Sequence, residues 1–76
     1  MNKSRRDALQ RIKDHLSAFH EELTILHDEE TECHDNIPEN LHGSEKYEKS
    51  ETTLDSMAEA LDCLENAIEA IEAACE

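Results

Sequence analysis

The histidines in the first half of the chain are the residues whose type and spacing could do chemistry. His20, His27 and His34 recur every seven residues, which places them on one face of a helix, with Glu30 between the last two. Imidazole and carboxylate groups are common ligands of Zn²⁺ and other transition metals. Three further side chains of ligand type could lie near this face, those of Cys33, His42 and Glu51. No recognised metal-ligand spacing is present, so we predict no metal and no cofactor, and a metal-binding helical module stays an alternative.

Catalytic residues are not evident anywhere in the chain. The sequence offers no nucleophile beside a base and an orienting group, and its only glycine, Gly43, cannot form a phosphate-binding loop. Two helices also enclose no cleft for a substrate. We therefore predict that the protein is not an enzyme.

The charge of the chain limits the partners that it can bind. Twenty acidic residues against seven basic ones give a formal charge of −13. Such a chain is unsuited to binding nucleic acid directly, since that requires Lys and Arg to neutralise phosphates, and equally unsuited to an anionic membrane. A protein with a basic surface is the expected partner. The N-terminus is followed by no apolar run, which predicts no signal peptide, no membrane span and a cytoplasmic location.

Apolar residues recur in alternating steps of three and four along both halves, the pattern of a coiled-coil seam. In the first half they are Leu9, Ile12, Leu16, Phe19, Leu23 and Leu26. In the second half the seam positions are Tyr47, Ser50, Leu54, Met57, Leu61, Leu64, Ile68, Ile71 and Cys75. Pro38 and Gly43 lie between the halves and permit a reversal. The pattern predicts an all-α fold, an antiparallel two-helix coiled-coil hairpin. It forms a single domain over residues 1–76, with helices at about 4–34 and 44–75 and a tip at 35–43.

Candidate N-caps agree with these limits. Ser4 with Asp7 resembles a capping box for the first helix, and Ser44 can cap the second. At the tip, Ile37, Leu41 and Tyr47 are predicted to form a small apolar plug.

The pairing of the helices follows from a reversal near residue 40, which makes the numbers of facing seam residues add to 80. This register pairs Leu16 with Leu64 and places Glu30 opposite Ser50 as a polar layer. The three histidines then flank the seam of the first helix. Across it His20, His27 and His34 should meet Glu65, Ala58 and Glu51, respectively.

Small residues form a second heptad stripe on the second helix, beside the seam. They are Ala60, Cys63, Ala67, Ala70 and Ala74. Alanine fills many exposed helix positions simply because its helix propensity is high. A lone hairpin has only one narrow seam, however, so we interpret the stripe as the interface of a homodimer that forms a four-helix bundle.

Carboxylates occupy the opposite flank of the second helix. Those predicted to contact a partner are Asp55, Glu59, Asp62, Glu65 and Glu69, together with the tip residues Ile37, Leu41 and Tyr47. A run of charge is often only a solvated face. The sharper hypothesis is that carboxylates on a rigid helix imitate nucleic-acid phosphates and occupy a basic groove.

The tip carries a resemblance to known proteins. Its sequence from Asp35 to Leu41 is Asp-Asn-Ile-Pro-Glu-Asn-Leu, and Ser44-Glu45-Lys46-Tyr47-Glu48 follows shortly after. This segment resembles the tip of small acidic helical-hairpin proteins of bacteriophages and mobile elements, although His42 stands where those proteins usually have Gln. The resemblance implies a phage or prophage origin and the cytoplasm of a bacterial host, but no particular activity.

The leading hypothesis is therefore a non-enzymatic, phage-type interaction protein that binds and modulates a host protein, with inhibition of a host defence enzyme as its most concrete form. This last step is an analogy with other small acidic phage proteins. The alternative is a structural or scaffolding protein that assembles through its heptad stripes.

Overall fold

The structure is a computed structural model that describes every residue from Met1 to Glu76. It consists of helix α1 (Lys3–Asp35), a single 3-10 turn (Glu39–Leu41) and helix α2 (Glu45–Cys75). The two helices pack against each other, there are no strands, and the Cα atoms extend over 59 × 15 × 14 Å. The all-α two-helix hairpin predicted from the heptad pattern is confirmed.

The N-terminal caps differ from the prediction at one end of the hairpin. Helix α1 is capped by Asn2, which has extended backbone angles and whose Oδ1 accepts a hydrogen bond from the Arg5 backbone N–H at 2.8 Å. Ser4 already lies inside the first turn, so the predicted Ser4–Asp7 capping box is wrong. Ser44 caps α2 as predicted, because its Oγ accepts from the Tyr47 backbone N–H at 3.2 Å.

The connection between the helices reverses the chain without any left-handed residue. Asn36 ends α1 in the right-handed helical region, and Pro38 then turns the chain at φ −56°, ψ 142°. The Leu41 N–H donates to the Pro38 carbonyl at 2.9 Å, and the Ser44 N–H donates to the Leu41 carbonyl at 3.0 Å. Gly43 has no positive φ. Its conformational freedom is therefore not what permits the reversal.

The seam of α2 is the one predicted. Half-buried residues follow the same alternation of three and four from Tyr47 to Cys75, and every predicted position is among them. Polar Ser50 belongs to this series, and Glu30 of α1 is half-buried and lines the same groove as Ser50. The predicted polar layer near the tip is present.

The seam of α1 differs from the prediction at every second position. Leu9, Leu16 and Leu23 are half-buried, but Ile12, Phe19 and Leu26 are 45%, 57% and 53% exposed. Their places in the interface are taken by the residue that follows each of them. The half-buried series on α1 is Leu9, Lys13, Leu16, His20, Leu23, His27, Glu30 and His34. At 100° per residue, this change corresponds to a rotation of α1 about its axis by about 50°.

Polar contacts across the interface accompany this rotation. Lys13 Nζ lies 3.6 Å from Glu72 Oε1, and His20 Nε2 lies 3.1 Å from Glu65 Oε1. These long side chains cover apolar surface with their stems and reach carboxylates on α2, which Ile12 and Phe19 cannot do. No side chain of the hairpin is fully buried.

Candidate protein-binding surfaces

The acidic flank of α2 comprises Asp55, Glu59, Asp62, Glu65 and Glu69. All five side chains are exposed. The first and last of them are fourteen residues apart on a continuous helix, which corresponds to about 21 Å at 1.5 Å per residue. The predicted contact residues therefore form one row on a rigid element.

Most of this row has no cationic partner within the hairpin. Glu65 is the only member with an ion-pair or hydrogen-bond contact, which it makes with His20 at 3.1 Å. Asp55, Glu59, Asp62 and Glu69 make none. Their negative potential is uncompensated from within the chain and is available to a cationic surface.

The opposite flank of α2 contains no carboxylate at all. Its residues, at the two heptad positions of the small-residue stripe, are Lys46, Lys49, Thr53, Ser56, Ala60, Cys63, Ala67, Ala70 and Ala74. We call this surface the carboxylate-free flank. The five residues predicted for a dimer interface lie within it and are all exposed. The carboxylates of α2 thus lie away from this flank, and the acidic flank lies on the opposite side of the helix.

An apolar stripe on α1 borders the carboxylate-free flank, and its residues were predicted to lie in the seam. The stripe consists of Ile12, Phe19 and Leu26, one heptad apart. Cys33, one heptad further on, lines a groove together with Lys46, Lys49 and Thr53 of the carboxylate-free flank. The apolar stripe of α1 and the carboxylate-free flank of α2 therefore face the same side of the hairpin. One feature of the sequence could have indicated that these residues are exposed. Lys13 and the three histidines form a second heptad series on α1, one residue after the apolar series.

At the tip, Tyr47 lies between two imidazole rings. Its ring centroid is 4.4 Å from those of His34 and His42, and both ring pairs are stacked. His42 is held there by a 3.1 Å hydrogen bond between its Nε2 and the Ile37 carbonyl. Leu41 is 46% exposed, so the predicted apolar plug is replaced by an aromatic stack with Ile37 half-buried beside it.

His20 and His34 make separate contacts. The predicted pair of His20 and Glu65 is confirmed, whereas His34 Nδ1 bonds the Ser50 hydroxyl at 3.0 Å in place of the predicted Glu51. No three His, Cys, Asp or Glu side chains come together in an arrangement that could hold a metal ion. The surface depressions along the hairpin are open grooves with no enclosed cavity.

Comparisons with protein-family models, with curated proteins and with solved structures find no match to this chain. Neither helix contains a stretch long and apolar enough to cross a membrane. Inference about function therefore rests on the surfaces of the hairpin.

Proposed function

We propose that this protein is a non-enzymatic interaction module that binds a partner protein with a basic surface through its acidic flank. The observation that carries the proposal is the row of four unpaired, exposed carboxylates on α2, Asp55, Glu59, Asp62 and Glu69. A row of negative charges about 21 Å long complements a basic groove of the kind that binds nucleic acid.

The concrete form of this proposal is a decoy that occupies a nucleic-acid-binding groove of a host protein. The helix holds these carboxylates at a set spacing along its surface, and charge complementarity raises the association rate with a surface of Lys and Arg side chains. The resemblance of the tip around Pro38 and Leu41 to phage-encoded hairpins supports the bacterial cytoplasm as the place of action, and a host defence enzyme is the partner by analogy with other small acidic phage proteins. The exposed Leu41 and the half-buried Ile37 and Tyr47 would add apolar contact at the tip.

Affinity capture with a matched control tests this proposal. The tagged protein is incubated with nuclease-treated bacterial lysate at low and high salt, and the retained proteins are identified by mass spectrometry. The test variant is Asp55→Asn/Glu59→Gln/Asp62→Asn. The control, Asp14→Asn/Glu21→Gln/Asp28→Asn, removes the same three charges from exposed positions of α1.

The expected result is a nucleic-acid-binding protein that is retained at low salt by the wild type and the control, and is lost with the test variant and at high salt. Equal loss with both variants would show that only net charge matters. Equal retention by both would exclude the acidic flank as the contact.

A second candidate function is structural self-assembly, and the carboxylate-free flank supports it. Its small residues Ala60, Ala67 and Ala74 leave room for a close helix–helix approach, and the hairpin has no fully buried side chain of its own. We propose a homodimer in the form of a four-helix bundle on this flank. Ala67→Glu is expected to give monomers by sedimentation, whereas Glu59→Gln is expected to leave the dimer intact; a dimer that survives Ala67→Glu would exclude this interface.

A further inference from the structure

We infer that the apolar stripe of α1, formed by Ile12, Phe19 and Leu26, is the other half of the homodimer interface and packs against the carboxylate-free flank of a second copy. The inference rests on the proposed homodimer and specifies which surfaces meet. Its first basis is exposure: the three side chains of the stripe are 45–57% exposed in the hairpin. Their heptad spacing is that of a helix-packing seam.

The charges determine which surface a second copy of the chain can use. Each hairpin carries a formal charge of −13, so two copies can approach closely only through a surface without opposed carboxylates. The carboxylate-free flank of α2, next to the stripe, is such a surface. A basic partner protein would be drawn instead to the acidic flank on the other side of α2.

The shapes of the two surfaces indicate how the copies stack. The stripe on α1 has large side chains and the flank on α2 has small ones, so α1 of each copy fits against α2 of the other. A two-fold axis parallel to the helices produces this arrangement and makes the two contacts identical.

The contacts within one hairpin determine where Ile12, Phe19 and Leu26 lie along α2 of the second copy. We call these three side chains the knobs. His20 is level with Glu65 and Lys13 with Glu72, and a two-fold axis parallel to the helices preserves these levels between copies. Phe19 then lies between Cys63 and Ala67 of the second copy, and Ile12 lies one heptad away, between Ala70 and Ala74. The third knob, Leu26, falls between Ser56 and Ala60.

Charge complementarity at the tip supports the same arrangement. Lys49 makes no ion pair within its own hairpin, and neither does Glu32. Stacking α1 on α2 of the second copy brings Glu32 of one chain within reach of Lys49 of the other. An alternative two-fold axis stacks α1 of one copy on α1 of the other. That arrangement places Lys49 against alanines instead.

The face of the hairpin is large enough to contain an interface of ordinary size. Its Cα atoms extend 59 Å by 15 Å, a projected area of roughly 900 Å² for the whole face, and typical specific complexes bury about 800 Å² of accessible surface per partner. The interface would also supply the core that the single hairpin lacks, since none of its side chains is fully buried.

Cysteine cross-linking in the full-length protein tests the inference. In Cys33→Ser/Cys75→Ser/Phe19→Cys, the new thiol and native Cys63 should form an interchain disulfide on mild oxidation. Because Phe19 is itself a proposed knob, a second variant keeps it: Ile12→Cys/Ala70→Cys with all three native cysteines changed to serine. Sedimentation of the reduced proteins is run in parallel.

The expected result is a dimer cross-linked between positions 19 and 63, and between 12 and 70, as mapped by peptide mass spectrometry. A dimer that forms only 19–19 bridges would support the stacking of α1 on α1 and overturn the inference. A dimer without cross-links would overturn it too, while leaving the homodimer standing. A monomer in every variant and in the wild type would remove the proposed homodimer itself.

Discussion

His20 and Glu65 join the two helices of the hairpin, with Nε2 of the histidine 3.1 Å from Oε1 of a glutamate 45 residues away in the chain. Lys13 and Glu72 repeat this relationship one heptad further along, at 3.6 Å. Two such pairs mark both the register of the helices and the rotation of α1. In this rotation Ile12 and Phe19 lie outside the seam, and they form part of the surface available for association.

The His20–Glu65 contact should be specific but weak. Glu65 is more than half exposed, and pairs of this kind contribute about 0–1 kcal/mol. A double-mutant cycle with His20→Ala and Glu65→Ala should therefore give a coupling free energy below about 1 kcal/mol by thermal or urea unfolding. Glu69→Ala, which removes an unpaired carboxylate, serves as the control and should show no coupling to His20. Coupling to Glu69 equal to that of Glu65 would contradict the register.

Substitutions of two leucines on α1 should distinguish the hairpin seam from the proposed dimer surface. Leu23 is half-buried against α2, whereas Leu26 is 53% exposed. Leu23→Ala should lower the free energy of unfolding by about 1–2 kcal/mol at every protein concentration, since it removes a contact within the chain. Leu26→Ala should be destabilising only where the dimer is populated. The measurement is the melting temperature by circular dichroism over a concentration series, and identical behaviour of the two variants would contradict the seam.

The aromatic stack at the tip predicts a difference between two substitutions of Tyr47. Its ring lies between His34 and His42 at 4.4 Å from each, and aromatic pairs contribute about 0.5–1.5 kcal/mol beyond the area that they bury. Tyr47→Leu should therefore lower stability by about 1 kcal/mol or more. Tyr47→Phe should be neutral, since the ring is retained and no hydrogen bond of the hydroxyl is present. Denaturant unfolding checks both; a loss with Phe equal to that with Leu would exclude stacking as the cause.

Gly43 should tolerate a side chain. A Cβ added there would meet nothing within 4 Å, and its φ is not positive. Alanine restricts the unfolded chain more than glycine does, so Gly43→Ala should raise the free energy of unfolding by about 0.4–1 kcal/mol. The same unfolding measurement applies, with the wild type as reference. Clear destabilisation would mean that residue 43 adopts a left-handed conformation in solution.

The sequence was sufficient to predict the hairpin and the whole α2 seam, because α2 has only one stripe of large apolar residues at coiled-coil spacing. It was insufficient for α1, where two heptad series compete. Hydrophobicity alone favours the series of Ile12, Phe19 and Leu26. It takes no account of the carboxylates on α2 that Lys13 and His20 contact. The choice depends on cross-helix pairs, which a pattern of apolar residues does not contain.

The acidic flank was predictable for a similar reason. Once the α2 seam is known, heptad positions decide that Asp55 and Asp62 are exposed. The stack around Tyr47 was not predictable, since it depends on the path of the tip that brings His42 back to the Ile37 carbonyl.

The most direct test of the proposed function is displacement of nucleic acid from the captured partner. A labelled oligonucleotide is bound to that partner at low salt, and the hairpin is titrated in while fluorescence anisotropy reports the bound fraction. The account predicts that the wild type and the α1 control release the oligonucleotide completely, and that Asp55→Asn/Glu59→Gln/Asp62→Asn does so at least tenfold less effectively. Formation of a ternary complex with the oligonucleotide still bound, or equal release by the test variant, would contradict it.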